Sequence, residues 1–545
     1  MPFCDTARAF RAPSLLHELP LGPAEAQPDA LALTLGADTL SYEALLAAMD
    51  CVCTGLMNVG ISRQDRVAVY LDKRFETVAA AFGASQAGAV FVPINPILKC
   101  EQVAHILRDC NVKLLITSHE RLQTLGDVWN VCPDLANVIV VDGDAGARFL
   151  TSRGSVMSWA DFARERGKPG HRVIDADMAA IFYTSGSTGK PKGVVLSHRN
   201  VVVGATSVAS YLQNRGSDRI LSALPLSFDA GFSQLTTAFC AGARVVLLNY
   251  LTARDVVHAI GRERISGVTG VPPMWMQLMQ VEWPPEAATS LRYLANTGGR
   301  MPSATLAALR AKLPQTQFFL MYGLTEAFRS TYLPPGEIDR RPSSIGKAIP
   351  NAEILVLRED GTRCAPHEAG ELVHRGALVA MGYWNDHAKT AERYRPLPVA
   401  AGARASGIVV PELAVFSGDT VTMDEDGFLY FVGRSDEMIK TSGYRVSPTE
   451  VEEALYATNL VREAAAFGVD HPMLGQAIAV TVTVDRPSPG DVDTLRAECR
   501  KRLPPYMIPM HIQVVTESLP RNPNGKIDRK LLARQYVESR AGETA

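Results

Sequence analysis

The sequence predicts an α/β protein with a large N-terminal domain of parallel-rich sheets and crossover helices, followed by a small α+β C-terminal domain. Three features of the 545 residues carry that expectation. Short β-branched runs alternate with helix-period segments through about the first 430 residues, later apolar runs lead mostly into Gly, Ser, Thr or Pro, and the texture changes after Gly433.

Residues 65–71, 90–94, 112–117 and 138–141 read as strands, with a helical stretch at 75–87 between the first two. That alternation needs crossovers, and crossovers make parallel sheets. The apolar runs 179–183, 245–248, 268–271 and 318–321 end mostly in small or turn-forming residues, and open α/β sheets bind ligands beyond such strand ends. Past Gly433, a Glu-rich helix at 451–457, a strand at 477–484, a linker at 485–490, a helix near 492–503 and a strand near 512–515 read as a separate unit, with a polar, frayed tail from Arg534. The expected division is 1–434 for the core and 435–545 for the smaller domain.

Composition narrows the partners. Lys plus Arg total 55 against 57 Asp plus Glu, and a net charge of −2 gives no electrostatic footprint for nucleic acid or an anionic membrane. The nine cysteines are scattered, and Cys51 and Cys53 stand one residue short of a CxxC pair, so neither a disulfide framework nor structural zinc is expected. Asp5, Arg8 and Arg11 interrupt any secretory apolar run near the start, which points to a cytoplasmic location.

One segment is dense in Gly, Ser and Thr: Thr184-Ser185-Gly186-Ser187-Thr188-Gly189-Lys190-Pro191-Lys192-Gly193. Its glycines let backbone approach an anion, its hydroxyls donate, and Lys190 and Lys192 add charge. Pro191 rules out a Walker loop, which needs Ser or Thr after Gly-Lys and then a helix. A flexible surface linker is the alternative, but apolar strand-like residues on both sides favour a phosphate loop.

These residues resemble the signature of the AMP-forming adenylating superfamily, which includes acyl-CoA synthetases, peptide-synthetase adenylation domains and luciferases. Further motifs follow in that family's order: Ala87-Gly88-Ala89-Val90-Phe91-Val92-Pro93, Tyr322-Gly323-Leu324-Thr325-Glu326, Gly370-Glu371-Leu372, Ser417-Gly418-Asp419, Gly433-Arg434-Ser435-Asp436, Lys440-Thr441-Ser442-Gly443-Tyr444-Arg445 and Asn522-Pro523-Asn524-Gly525-Lys526. The resemblance implies two half-reactions on a carboxylic acid: formation of acyl-AMP and pyrophosphate from ATP, then transfer of the acyl group to a thiol. A carboxylate is already a nucleophile, so this chemistry needs positioning and charge neutralisation more than a general base.

By the same resemblance, the nucleotide site comprises Thr184 to Lys190, Lys192, Gly298, Gly299, Arg300, Tyr322, Gly323, Asp419 and Arg434. Tyr322 lies against adenine, Thr325 touches the α-phosphate, and Asp419 accepts from the ribose hydroxyls, with Arg434 as its partner. Glu326 is the implied Mg²⁺ ligand and Lys526 the catalytic lysine, while Asp436 is the hinge and Gly443 borders the thiol path. Read alone, Glu326 suits an N-cap or an ion pair, Tyr322 a core position and Gly443 an ordinary turn. The chain departs from the family at Phe416-Ser417-Gly418-Asp419, where Arg-Thr-Gly-Asp is usual.

The implied acid pocket comprises Asp229, Ala230, Ser233, Gly270, Ala295, Thr297, Met321, Arg329 and Ser330. Asp229 stands where amino-acid-activating members place a carboxylate against the substrate's amino group, although Asp229 or Ser227 could equally cap a helix at 232–239. Local motifs resemble free-standing prolyl-AMP ligases and exosortase-associated acyl or aminoacyl ligases, which suggests a small amino acid such as proline. No carrier-protein serine signature occurs, so the acceptor is expected in trans, as phosphopantetheine on a separate carrier or as coenzyme A. A small-acid CoA synthetase and a non-catalytic ATP-binding homologue are the competing readings.

Overall fold

The computed structural model describes residues 12–543 except 127, 144–153, 185–190, 300, 302, 399–400, 402–410, 435–437, 459, 485–486 and 521–526. Three sheets form among the described residues. In the first, Leu31–Leu35, Arg244–Leu247, Arg219–Ser222, Gly267–Gly270, Tyr293–Asn296 and Gln317–Tyr322 lie side by side in parallel. In the second, Val90–Pro93, Arg66–Tyr70, Val112–Thr117, Asn137–Val140 and Ser155–Ser158 are parallel. The strand Met178–Thr184 joins Val90–Pro93 in parallel and then pairs antiparallel with Lys192–Ser197.

The alternating rhythm does not persist to residue 430. After Gln317–Tyr322 the neighbouring strands are antiparallel: Thr331–Leu333, Ser344–Ala348, Leu429–Arg434, Leu413–Met423, Gly370–Gly376 and Ala352–Leu357. The connections explain it, since the α-helix described in this stretch, His387–Arg393, is too short to make a crossover.

Helices Phe75–Ala87 and Asp229–Ala241 contribute to a core that also draws on both large sheets. The buried Phe232 ring has centroids 5.9 Å from Phe82, 5.4 Å from Phe91 and 5.7 Å from Phe182. Phe232→Ala is expected to cost about 3–5 kcal/mol, read as a lower urea midpoint.

The third sheet uses only later residues: Ile439–Thr441, Tyr444–Val446, Glu463–His471, Gly475–Thr483 and His511–Val515. Two hydrophobic clusters behind it contain nothing before Ile439. The expected frayed tail is instead helix Arg529–Glu543. Leu532, Ala533 and Tyr536 share one helix face, and the Tyr536 ring lies 5.9 Å from Phe467 on the sheet. Apolar spacing within a polar composition explains the difference.

Between the early and late parts of the chain, Gln102 Nε2 donates to Glu450 Oε1 at 3.0 Å, and Phe228 meets Tyr444 edge-on at 5.0 Å. No helix among the described residues is long and apolar enough to cross a membrane, and the eight described cysteines are free thiols.

Candidate active site

Strand ends from both large sheets, together with Tyr444–Val446 and its preceding turn, enclose a cleft of about 860 Å³. Thr184 and Lys192 face each other on antiparallel strands, whereas a Walker loop would lead from a strand into a helix. The Lys192 ammonium lies 5.7 Å from the Tyr383 ring centre, and burial, followed by repulsion from Lys389, lowers its pKa. Residues Ser185, Gly186, Ser187, Thr188, Gly189 and Lys190, with Arg300, Asp436 and Lys526, lie outside the described residues.

Tyr322 ends the strand shared by the parallel and antiparallel halves of the first sheet, and its hydroxyl donates to Asp419 Oδ2. Asp419 is buried and pairs in register with Arg434 on the adjacent strand. In the departure from the family pattern, Ser417 Oγ donates to Leu372 O at 2.7 Å and accepts from Asp419 N at 3.1 Å, fixing the aspartate backbone. Phe416, where arginine is usual, is buried beneath the Arg395 guanidinium, 3.5 Å from its ring centre.

Thr325 and Glu326 form a 3₁₀ turn following Tyr322-Gly323-Leu324. Glu326 Oε1 accepts from the Tyr383 hydroxyl at 2.6 Å, a partner that nothing in the local sequence around either residue announces. Burial and the adjacent carboxylate push the Tyr383 hydroxyl pKa far upward, so it remains a donor. Gly298 and Gly299 line the cleft after Thr297. A second feature hidden from the sequence supports them: Trp275 Nε1 donates to Asn296 Oδ1 at 3.1 Å, and Asn296 Nδ2 donates to Gly299 O at 2.8 Å.

Of the residues expected around the acid, the structure gathers Asp229, Ala230, Thr297, Met321 and Arg329 along the cleft wall. Ser233 lines a small cavity behind it. Gly270 and Ser330 are not part of either lining. Gly270 packs where a Cβ would lie 2.6 Å from the Trp275 ring, and buried Ser330 hydrogen-bonds His374 Nδ1 at 2.9 Å. The helix Asp229–Ala241 has Phe228 at its N-cap without a side-chain cap, so neither Asp229 nor Ser227 performs that job. Instead Asp229 Oδ1 accepts from Ala230 N at 2.7 Å, and Oδ2 accepts from Arg329 Nη1 at 3.3 Å. Burial raises the Asp229 pKa, and Arg329 opposes that rise.

Gly443 also borders this cleft. An added Cβ there would lie 2.9 Å from Val271 Cγ1, and one on Gly298 would lie 3.5 Å from Gly443 O. Next to it, Tyr444 stacks on Tyr506 at 3.5 Å.

The family model for AMP-binding enzyme matches residues 23–384, and that for the AMP-binding enzyme C-terminal domain matches residues 450–526. The chain is 32% identical over 533 residues to an L-proline–[L-prolyl-carrier protein] ligase of Pseudomonas fluorescens, covering 96% of this chain and 99% of that one. Among solved structures, o-succinylbenzoate CoA synthetase from Bacillus subtilis superposes with TM-score 0.80 at 25% identity, over 95% of this chain and 98% of that one. VinN, solved in complex with L-aspartate, gives TM-score 0.64 at 28% identity, over 77% of this chain and 98% of that one. The chain therefore belongs to the AMP-binding enzyme family and carries that family's C-terminal domain.

Proposed function

We propose that this AMP-forming ligase activates a small amino acid as its acyl-AMP and then passes the acyl group to the phosphopantetheine thiol of a separate carrier protein. The observation that supports it best is one cleft lined by Thr184, Lys192, Glu326, Asp229 and Tyr322, whose hydroxyl rests on buried Asp419 behind the wall. In the first step an acid oxygen bonds to the α-phosphorus of ATP, and pyrophosphate leaves with the electrons of the broken P–O bond. In the second, the thiol sulfur bonds to the acyl carbon, releasing AMP and a proton.

Each side chain has a task. Tyr322 supplies an aromatic face for adenine and holds Asp419, whose carboxylate accepts from ribose hydroxyls. Thr184, Lys192 and the Gly/Ser/Thr segment between them neutralise phosphate charge. Lys526 bridges the acid and α-phosphate oxygens while negative charge gathers there. A single buried carboxylate beside phosphate oxygens suits a hard cation that keeps most of its ligands from water and nucleotide, so Glu326 would hold Mg²⁺. When bound, that ion would offset phosphate charge. Gly443 leaves the thiol arm a path, with Asp436 as the hinge that moves it.

Acid-dependent exchange of labelled pyrophosphate into ATP tests the first step, and carrier against coenzyme A as acceptor tests the second. The expected products are AMP and a carrier thioester. Release of ADP and phosphate with no AMP would end the proposal, whereas efficient acyl-CoA formation would keep the first step and replace the acceptor. A CoA synthetase among the structural relatives makes that second reading specific.

A further inference from the structure

The acid pocket contains a buried cation whose hydrogen bonding is incomplete. Arg329 is 3% exposed and lines both the main cleft and a cavity of about 10 Å³ behind it. Its Nη1 donates to Asp229 Oδ2 at 3.3 Å and to Phe328 O at 3.0 Å. Its buried Nε has no partner among the described residues. A buried guanidinium N–H without an acceptor is costly, and the missing acceptor is a natural place for a ligand atom.

The backbone holds Arg329 there under constraint. Phe328 has φ +56°, a conformation that bulky L residues rarely adopt. Its ring is fully buried against Gly204, where an added Cβ would come within 2.4 Å of it. Such strain persists where surrounding packing enforces it, often at ligand sites. Here it turns the chain between Glu326 and Ser330 so that Arg329 lies beside Asp229.

Charge balance then restricts the acid. After activation the reacting carboxylate is part of a mixed anhydride with AMP and no longer anionic, while an amino acid still carries its ammonium. With proline or alanine, Asp229 would face two cations, the substrate ammonium and Arg329, and one positive charge in the wall would lack an anion. A second carboxylate on the substrate removes the excess, giving one ammonium–Asp229 pair and one carboxylate–Arg329 pair. Glu326 and Arg445 also act on Asp229, in opposite directions, and so offset each other. The cavity behind Arg329 admits roughly one water, so a second carboxylate must meet Arg329 from the main cleft. Asp229 and Arg329 stand 3.3 Å apart, so the two substrate charges that meet them must lie close together and the acid must be short.

We infer that the acid is a short amino dicarboxylate, with its ammonium on Asp229 and its non-reacting carboxylate on Arg329. The inference rests on the proposed amino-acid adenylation. The chemistry is unchanged: one carboxylate oxygen bonds to the α-phosphorus, pyrophosphate departs with the electron pair, and the second carboxylate remains ionised on Arg329.

The test is pyrophosphate exchange by the full chain with L-aspartate, L-glutamate, L-asparagine, L-glutamine, L-proline, L-alanine and succinate. At least one acidic amino acid should exceed its own amide by about tenfold or more in kcat/KM, since a hydrogen bond to a charged group decides between them. Succinate, lacking the ammonium, should fall behind aspartate similarly. Arg329→Gln should abolish or reverse the preference for acid over amide, and Arg329→Lys, which preserves the charge at a buried position, should largely retain it. Equal or better exchange with asparagine, alanine or proline in the unmutated protein, or an Arg329→Gln variant with the same preference, overturns the inference and leaves adenylation standing. Exchange with no acid at all overturns both.

Discussion

Lys526→Ala is expected to lower acid-dependent pyrophosphate exchange at least about a hundredfold, the usual consequence of removing a donor aimed at developing charge. The acid needs no base, and on the proposed mechanism this lysine holds two anionic oxygens together as the phosphorus is attacked. Its effect should be confined to that step. Thioester formation from pre-formed acyl-AMP, measured with carrier and no ATP, should change little. Equal exchange in the variant and the unmutated protein would remove Lys526 from the mechanism, and loss of both half-reactions would point to folding.

Gly443→Leu is expected to show the reverse pattern. Gly443 has φ +82° and follows Ser442 at φ +52°, so the turn already occupies a backbone region that favours glycine. An added Cβ would lie 2.9 Å from Val271 Cγ1 and 3.1 Å from its Cβ, neither of which is a flexible chain end. Either the turn withdraws from the cleft or Val271 moves, and a displacement of about 1 Å near reacting groups costs on the order of a hundredfold. Thioester formation should therefore fall about a hundredfold, while pyrophosphate exchange stays within a few-fold. A variant that transfers normally would show that the turn does not border the thiol path.

The readable parts of this site are those whose chemistry is local. The strands ending at Thr184 and beginning at Lys192 could be expected from the apolar runs flanking the Gly/Ser/Thr segment, and the end of Gln317–Tyr322 from an apolar run meeting Gly323. The parallel strands before residue 322 follow from the same alternation. Long-range pairings were not readable. Asp229 and Arg329 are 100 residues apart, and Tyr383 reaches Glu326 across 57. The positive φ of Phe328 is imposed by packing against Gly204, and no propensity of phenylalanine would suggest it. The final helix was missed because its charged residues outweigh the few apolar positions that dock it. The antiparallel half of the first sheet was missed because short strands give the same apolar signal in either direction.

The strand Gln317–Tyr322 belongs to both halves of the first sheet and leads directly into residues 323–330. On the proposed reading, Tyr322 serves the nucleotide and its neighbour Met321 the acid, so both substrates are registered to a single rod of hydrogen-bonded backbone, with Arg329 on the loop that returns from it. Descendants of such an enzyme can acquire a new diet by rewriting side chains on one flank of that rod, while the energy-donating flank stays as inherited.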